Sequence, residues 1–468
     1  MKIEQLYTGC LAQGAYYIES EGEVAIIDPL REIQQYVDKA KTNNAKIKYI
    51  LETHFHADFV SGHVDLAKET GATIVFGPGA TTKYDIHSAT DGEVLQLGNV
   101  TIKVLHTPGH TLESATYLLI DENGKDHAIF SGDTLFLGDV GRPDLAIKSD
   151  LTKEDLAAML FDSLRNKIMP LADDVIVYPA HGAGSACGKN LSKETVGVLG
   201  EQKKTNYALR ANMTKAEFVI EVLDGIAPPP QYFAKNAMLN KMGYDTFDTV
   251  LKTGNVPLNP EAFEAMANHE SALVLDVRTQ ADFITSHIPN SIFIGLNGGF
   301  APWVGALIKD IKQPIVLVVP EGKSEEAVTR LSRVGYDNTL GYLEGGLEAW
   351  KKAGKDIETL DSISALEFAN RAKANNLNVL DVRKDGEYQS THLEGVQHFS
   401  LDLINENMNQ VDKDKTYYVH CAGGYRSVIA ASILKARGFD KLIDIAGGFG
   451  AIKDTDLKTT NFVCPSTL

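Results

Sequence analysis

The stretch Ile47–His63, "IKYILETHFHADFVSGH", runs from an apolar segment into a polar cluster. The part "IKYILE" reads as a buried strand, and "ETHFHADFVSGH" (52–63) then packs three histidines and an aspartate into twelve residues. Imidazoles and carboxylates just past a strand's end suggest a metal site. A single histidine in such a place is more often hydrogen-bonded than metal-binding. Three later segments change that balance. "HTPGHT" (106–111) brings His110, "FSGDTLF" (130–136) brings Asp133, and "YPAHG" (178–182) brings His181, each at or just past an expected strand.

Strands and helices alternate on either side of these segments. "AYYIES" (15–20) and "EVAIID" (23–28) read as a hairpin around Glu21-Gly22. "TIVFG", "TIKVLHTPGH", "SATYLLID", "HAIFSGDTLF" and "VIVYPAH" read as further strands, and "REIQQYVDKAKT" (31–42) and "TKEDLAAMLFDSLRN" (152–166) have helical apolar spacing. This is the pattern of a layered α/β domain whose strand-end loops form the site.

The chain has 468 residues, which implies two to four domains. With 44% hydrophobic and 23% charged residues it is of the globular class. A formal net charge of -17 disfavours non-specific nucleic-acid or anionic-membrane binding, although a local basic pocket for an anionic substrate can coexist with it. No apolar run reaches the length of a membrane span. The N-terminus lacks a basic region followed by an apolar core, so a cytoplasmic location is expected. Cys10, Cys187, Cys421 and Cys464 are too few and too dispersed for a disulfide framework, and each reads as a free thiol.

"GIAPPPQYFAKN" (225–236) interrupts the alternation with a stiff proline run, either a linker or a segment that folds back over the first domain's site. Beyond about residue 255 the chain repeats itself. "SALVLDVRTQADFITSHIPNSIFIGL" (271–296) matches "LNVLDVRKDGEYQSTHLEGVQHFSL" (377–401), and "GYDNTLGYLEGGLEAWKKAG" (335–354) matches "GFDKLIDIAGGFGAIKD" (438–454). A whole small α/β domain is duplicated.

The four ordered motif segments resemble the metallo-β-lactamase superfamily over about residues 1–250, which implies an αββα sandwich with the site at one edge. Two-metal members carry HxHxDH; here the last position is Phe59, which cannot ligate. The subfamily it resembles is the persulfide dioxygenases, which use one iron. That resemblance implies His54, His110 and Asp133 as ligands of one Fe(II) per chain, a facial arrangement suited to O2 chemistry. It makes His56, Asp58 and His181 orienting groups around them. The runner-up is a zinc hydrolase of the hydroxyacylglutathione hydrolase kind, in which metal-bound water attacks a thioester.

"GDVGRPDLA" (138–146) contains Arg142, either a surface ion pair or an anchor for a substrate carboxylate or phosphate. "AHGAGSACGKN" (180–190) places Cys187 and Lys189 after His181. Cys187 is either an inert buried thiol or a pocket-facing one able to hold a persulfide, and both residues are candidates for substrate binding. Glutathione-specific dioxygenases typically carry an aspartate and an aromatic residue after this histidine. This chain has Gly182 and Ala183, and so looks like the fused bacterial dioxygenase–rhodanese enzymes.

"YYVHCAGGYRSVIAASILKARG" (417–438) reads as a strand, a six-residue loop Cys421–Arg426 and a helix starting near Ser427. Gly423, Gly424 and Tyr425 let backbone N–H groups turn toward a thiolate or bound anion, and Arg426 adds charge. The whole pattern, with "AGGF", resembles the rhodanese family and implies Cys421 as the residue that alternates between thiolate and persulfide. Asp381, Arg383, Glu387 and His392 match the family's bracing element. The middle repeat has "LDVR" and His287 but no cysteine, with Pro320 about where Cys421 stands in its copy, so it is expected to be an inactive spacer or docking module.

The expected architecture is α/β: a sandwich at 1–250, an inactive rhodanese-like domain at 258–356 and a rhodanese domain at 361–460. The expected chemistry is oxidation of a low-molecular-weight persulfide (of glutathione, coenzyme A or cysteine) to sulfite by O2, with sulfur transfer from Cys421 to sulfite giving thiosulfate. A homo-oligomer that binds neither nucleic acid nor membrane is expected.

Overall fold

The computed structural model describes residues 1–146 and 151–463, so Cys464 lies outside the described residues. The chain forms two compact units: Met1–Phe247 with Ser332–Gly335, and Asp248–Leu331 with the chain from Tyr336 onward.

The first unit holds two six-stranded sheets. One runs Lys2–Thr8, Gln13–Ser20, Glu23–Ile27, Lys46–Leu51, Thr73–Phe76, His87–Ser88 in spatial order. The other runs Gly197–Val198, Ile176–Pro179, Asp126–Gly132, Ala115–Ile120, Val100–His106, Val94–Leu97. The strand pattern shows why both faces are buried. Along Gln13–Ser20, Tyr16 and Ile18 enter the layer between the sheets with Val104, Tyr117 and Phe130. Ala15 and Tyr17 point the other way, onto Tyr36, Val37 and Leu66 of the helices Gln34–Thr42 and His63–Thr70. The second sheet's outer face packs Leu118, Ile129 and Val177 on Leu160 and Phe218 of the helices Lys153–Ser163 and Lys215–Leu223. Apolar residues at period two therefore feed two layers at once. Thr152 and Asp155 form a capping box that starts the helix Lys153–Ser163.

Sheet register brings the motif segments to one edge. Glu23–Ile27 and Lys46–Leu51 pair in parallel, as do Asp126–Gly132 and Ile176–Pro179, so Asp28, Glu52, Asp133 and His181 all lie just beyond neighbouring strand ends. Cross-links between the sheets close this edge: Gly14 N–H donates to Ala180 O at 2.8 Å and Ala115 N–H to Thr53 O at 2.8 Å.

The second unit contains two parallel five-stranded sheets with the same order. One runs Pro257–Leu258, Thr339–Leu343, Ile315–Val318, Leu273–Asp276, Ile292–Phe293; the other Asp361–Ser364, Leu442–Ala446, Tyr417–His420, Asn378–Asp381, Gln397–His398. Both copies retain the same brace. Arg278 forks onto Asp276 and reaches Ser286 O at 2.8 Å; Arg383 forks onto Asp381 and reaches Thr391 O at 2.9 Å. His287 and His392 each bond the carbonyl four residues back, at 2.8 Å, and stack on Phe283 and Tyr388. Replacing Arg383 by Met strands the buried Asp381 carboxylate. A loss of roughly 3–5 kcal/mol is expected, measured as a lowered urea midpoint of unfolding.

Candidate functional site

His54, His110 and Asp133 offer donor atoms that all lie within 4.8 Å of one another, and all three residues are buried. Their neighbours fix which nitrogen faces inward. His54 Nδ1 lies 3.0 Å from Thr53 Oγ1, and that hydroxyl already donates to Asp28 Oδ2 at 2.8 Å. The hydroxyl therefore accepts from Nδ1–H, and the Nε2 lone pair is left pointing at the cluster. His110 Nδ1–H donates to Arg142 O at 2.9 Å, with the same result. His54 Nε2, His110 Nε2 and both Asp133 oxygens are buried without a hydrogen-bond partner. Orphaned groups of this kind cost stability unless something binds them, so the residues fit a cation. Burial, and then the neighbouring imidazoles, hold the His54 pKa well below its usual value, which keeps the nitrogen a ligand.

His56, Asp58 and His181 form a second buried donor group, and Cys187 completes a third with Asp133 and His181. His181 Nδ1–H donates to Ala12 O at 3.2 Å, and its Nε2 lies 3.4 Å from Asp58 Oδ2 and 3.6 Å from Asp133 Oδ1. His56 differs from the other three histidines: its Nε2 faces Asp28 Oδ1 at 3.0 Å and Glu52 Oε2 at 3.6 Å. Burial opposes its charge, but Asp28, Glu52 and Asp58 outweigh burial and carry its pKa up to about 9. Phe59 is fully buried, with its ring 4.3 Å from that of His56. His63 begins the helix His63–Thr70, and its Nε2 bonds Tyr84 Oη at 2.6 Å.

The loop residues after the metal motifs act as braces. The Arg142 guanidinium forks onto Asp144 at 2.7 and 2.8 Å and donates to Ala186 O and Ala227 O. Its backbone also serves the cluster, because its carbonyl orients His110 and its N–H donates to Cys187 O at 2.9 Å. Lys189 Nζ donates to Glu221 O and Asp224 O at the end of the helix Lys215–Leu223. Cys187 is 1% exposed, and burial, then Asp58 and Asp133, push its thiol pKa well up.

Three positioning residues were not visible in the sequence. Asp28 accepts from Thr53 N–H and Oγ1–H at 2.8 Å each. Glu52 accepts from Ser61 Oγ–H at 2.7 Å. Asn240, on the helix Phe233–Met242 beyond the triple proline, accepts from Ser61 N–H and donates to His56 O and Phe59 O. The segment after the prolines thus folds back onto the HxHxD loop; Asp28 and Glu52 carried a local signal in their strand-end positions, and Asn240 carried none.

In the last repeat, Cys421 directly follows the strand Tyr417–His420 and is 1% exposed. Gly424 N–H donates to its Sγ at 3.1 Å. The following helix spans Tyr425–Ala436 and starts two residues before the expected Ser427. Gly424, at φ 98°, turns the chain early enough for Tyr425 and Arg426 to be helical. The "AGGF" turn supports the loop from behind, with Phe449 N–H on Cys421 O at 2.6 Å and Gly450 N–H on Ala422 O at 2.9 Å. Arg426 makes a bidentate pair with Glu387 at 2.6 and 2.8 Å, so Glu387 serves the loop as well as the fold. Tyr425 Oη donates to Gly295 O of the middle repeat at 2.7 Å, and its ring lies edge-on to Phe293.

The metallo-beta-lactamase superfamily model matches residues 8–181, and the rhodanese-like domain model matches 259–353 and 364–455. A crystal structure of a metallo-β-lactamase from Staphylococcus aureus is 31% identical, with a TM-score of 0.64, and the match covers 73% of this chain and 98% of that one. The chain belongs to the metallo-β-lactamase superfamily. Two rhodanese-like domains follow its N-terminal metallo-β-lactamase domain. Among curated relatives, the Arabidopsis thaliana cytoplasmic hydroxyacylglutathione hydrolase is 30% identical over 39% of this chain and 67% of its own length. A probable hydroxyacylglutathione hydrolase of Schizosaccharomyces pombe is 33% identical over 38% of this chain and 66% of its own length, so this chain spans about two thirds of either relative. Among the described residues, no helix is long and apolar enough to cross a membrane.

The buried histidines set a pH signature for the metal-free protein. His63 is held down to about 3 by burial, then by the His56 charge, so its contribution is full above about 6.5 and is lost as pH falls toward 3. His56, raised to about 9, contributes fully below about 6.5 and loses that as pH rises toward 9. The Glu52 carboxyl, raised by burial, contributes fully below about 4.3 and loses that as pH rises through its raised pKa. Chelator-stripped protein should therefore show its highest urea midpoint near neutrality and lower ones on both sides. A midpoint still climbing at pH 9 would contradict a charged His56.

Proposed function

We propose that the metallo-β-lactamase domain oxidises the outer sulfur of a low-molecular-weight persulfide to sulfite with O2 at one non-haem Fe(II). We propose further that Cys421 carries sulfane sulfur to sulfite, giving thiosulfate, so that the chain detoxifies sulfide and persulfide in the cytoplasm. The working boundaries are 1–250, 258–356 and 361–460. The observation that carries the reading is the three-donor group His54, His110 and Asp133 beside Phe59, an apolar ring where two-metal relatives place a histidine. Two imidazoles and one carboxylate leave coordination positions open, and Fe(II) held there supplies O2 activation. The chain's own residues do the rest. Thr53 and the Arg142 carbonyl hold the ligand tautomers. Asp28 and Glu52 hold His56 as a charged donor beside the cluster. Phe59 excludes water from one wall.

In the transfer half, Cys421 attacks the outer sulfur of a persulfide, and sulfite then attacks Cys421–S–SH, which requires ping-pong kinetics. Arg426 supplies positive charge beside the loop, and Gly424 N–H stabilises the sulfur anion. The cysteine-free middle repeat serves this half by holding Tyr425.

A second reading, a zinc-dependent thioester hydrolase with rhodanese modules that bind partners, draws on the His56, Asp58 and His181 donors and on the relatives' names. Metal analysis with an O2 electrode separates the two. One iron per chain and O2 uptake with glutathione, coenzyme A or cysteine persulfide are expected; two zincs per chain and no uptake would overturn the dioxygenase reading. Cys421→Ala is expected to abolish thiosulfate formation while O2 uptake persists. Loss of both would refute the two-site assignment.

A further inference from the structure

The last repeat buries a carboxylate that the sulfur-transfer scheme does not use. Asp444 lies on the strand Leu442–Ala446, one strand over from the one that Cys421 follows, and is 1% exposed. Ser427 Oγ, fully buried, lies 3.7 Å from Cys421 Sγ on one side and 2.7 Å from Asp444 Oδ1 on the other. Ser362 Oγ–H donates to the second oxygen, Oδ2, at 2.9 Å. Sulfur, hydroxyl and carboxyl thus form a continuous chain inside the domain.

We propose that Asp444 is the proton acceptor for Cys421, reached through Ser427. The inference rests on the sulfurtransferase reading for its purpose but not for its geometry. The hydroxyl can face only one way at a time. When Asp444 is ionised, Ser427 donates to it and accepts from the Cys421 thiol. When Asp444 is protonated, it donates to Ser427, and Ser427 donates to the thiolate. The two arrangements differ only by one proton moved along the chain. Burial holds the Asp444 carboxyl above the usual carboxylate range, with both serine hydroxyls pulling the other way, so it is able to accept that proton.

The step balances. The Cys421 proton passes to Ser427 as the Ser427 proton passes to Asp444. The sulfur then forms a bond to the outer sulfur of R–S–SH as the S–S bond of the persulfide breaks. The departing R–S⁻ is protonated by return of the proton from Asp444, giving R–SH and Cys421–S–SH. Attack of sulfite on that outer sulfur breaks the bond to Cys421, and the proton of the outer sulfur, which thiosulfate does not retain, passes to the Cys421 thiolate as thiosulfate leaves. No oxidant or reductant is needed. Asp444 never touches the substrate; it is a positioning residue that acts through Ser427.

Other charged groups surround this chain and are the same in every variant compared. Arg426 sits by Cys421 and pairs with Glu387 of the helix Asp385–Ser390, with Asp402 close to it. The Asp381–Arg383 fork lies on the neighbouring strand, with His420 Nε2 3.8 Å from Asp381 Oδ2.

The readout is the rate at which iodoacetamide alkylates Cys421 in the full-length protein, followed on the Cys421 peptide by mass spectrometry from pH 4 to 10. Two groups that share a proton titrate in two macroscopic steps. The wild type is expected to show two waves. Asp444→Asn, isosteric but unable to take the proton, should show one, and Ser427→Ala should lose the lower wave. Ser362→Ala removes a bond that favours the ionised carboxyl and should shift the lower wave while keeping it. A single wave in the wild type, or two unchanged waves in Asp444→Asn, would overturn the proposal. This readout needs no sulfurtransferase turnover. If two waves appear without thiosulfate formation, the relay stands and the proposed reaction falls; if thiosulfate forms with one wave, the reverse holds.

Discussion

The Asp28 carboxylate fixes the protons on which the N-terminal site depends. It takes the Thr53 N–H and the Thr53 hydroxyl proton, and it faces His56 Nε2. Because the Thr53 hydroxyl is spent on Asp28, it can only accept from His54, and His54 must then turn its lone pair inward. Without that chain the imidazole could adopt either tautomer, and the three-donor group would not be set in advance. The same carboxylate holds His56 charged, which separates it from the other histidines of the cluster. One buried acid thus assigns different roles to two histidines two residues apart. Fixing a ligand's tautomer through the partner of its other ring nitrogen is general for imidazole sites; here it is carried by a strand-end residue on the neighbouring parallel strand.

The second unit shows what duplication preserves and what it releases. Both copies keep the strand order, the Asp–Arg fork and the stacked histidine, because those contacts hold buried charge and backbone in place. The cysteine loop stands in only one copy. The other contributes a carbonyl to Tyr425 of the active loop. A domain without a cysteine can therefore still shape the site of its neighbour. The glutamate of the bracing motif also has a second use. Glu387 fixes the Arg426 fork, so the loop's positive charge is held at one place instead of sweeping through solvent.

Much of the fold was legible along the chain. The alternation in "AYYIES" and "EVAIID" gave a hairpin, and the two "LDVR" segments gave the repeat, because both signals are periodic and local. The HxHxD cluster and its three later segments pointed to the buried imidazoles and carboxylates that come together, because strand ends converge wherever parallel strands are neighbours. The helix after the cysteine loop began at Tyr425 because Gly424 turned the chain, a backbone event that residue type alone leaves open. The sequence leaves Arg142 either an ion pair or a substrate anchor and Lys189 a binding candidate; in the structure their side-chain cations bond Asp144 and helix-end carbonyls. Those partners lie on segments whose distance in space the sequence does not encode.

Residue order by itself determined the two kinds of domain, the donor types at the metal cluster and the one cysteine loop, since each depends on residues close together in the chain. Only the tertiary structure decided which nitrogen each histidine presents, that Asn240 clamps the HxHxD loop from 180 residues away, and that Asp444 reaches Cys421 through Ser427. The physical reason is the same in each case. A proton's position is set by whatever polar group lies within about 3 Å of it, and packing, not sequence spacing, brings that group there.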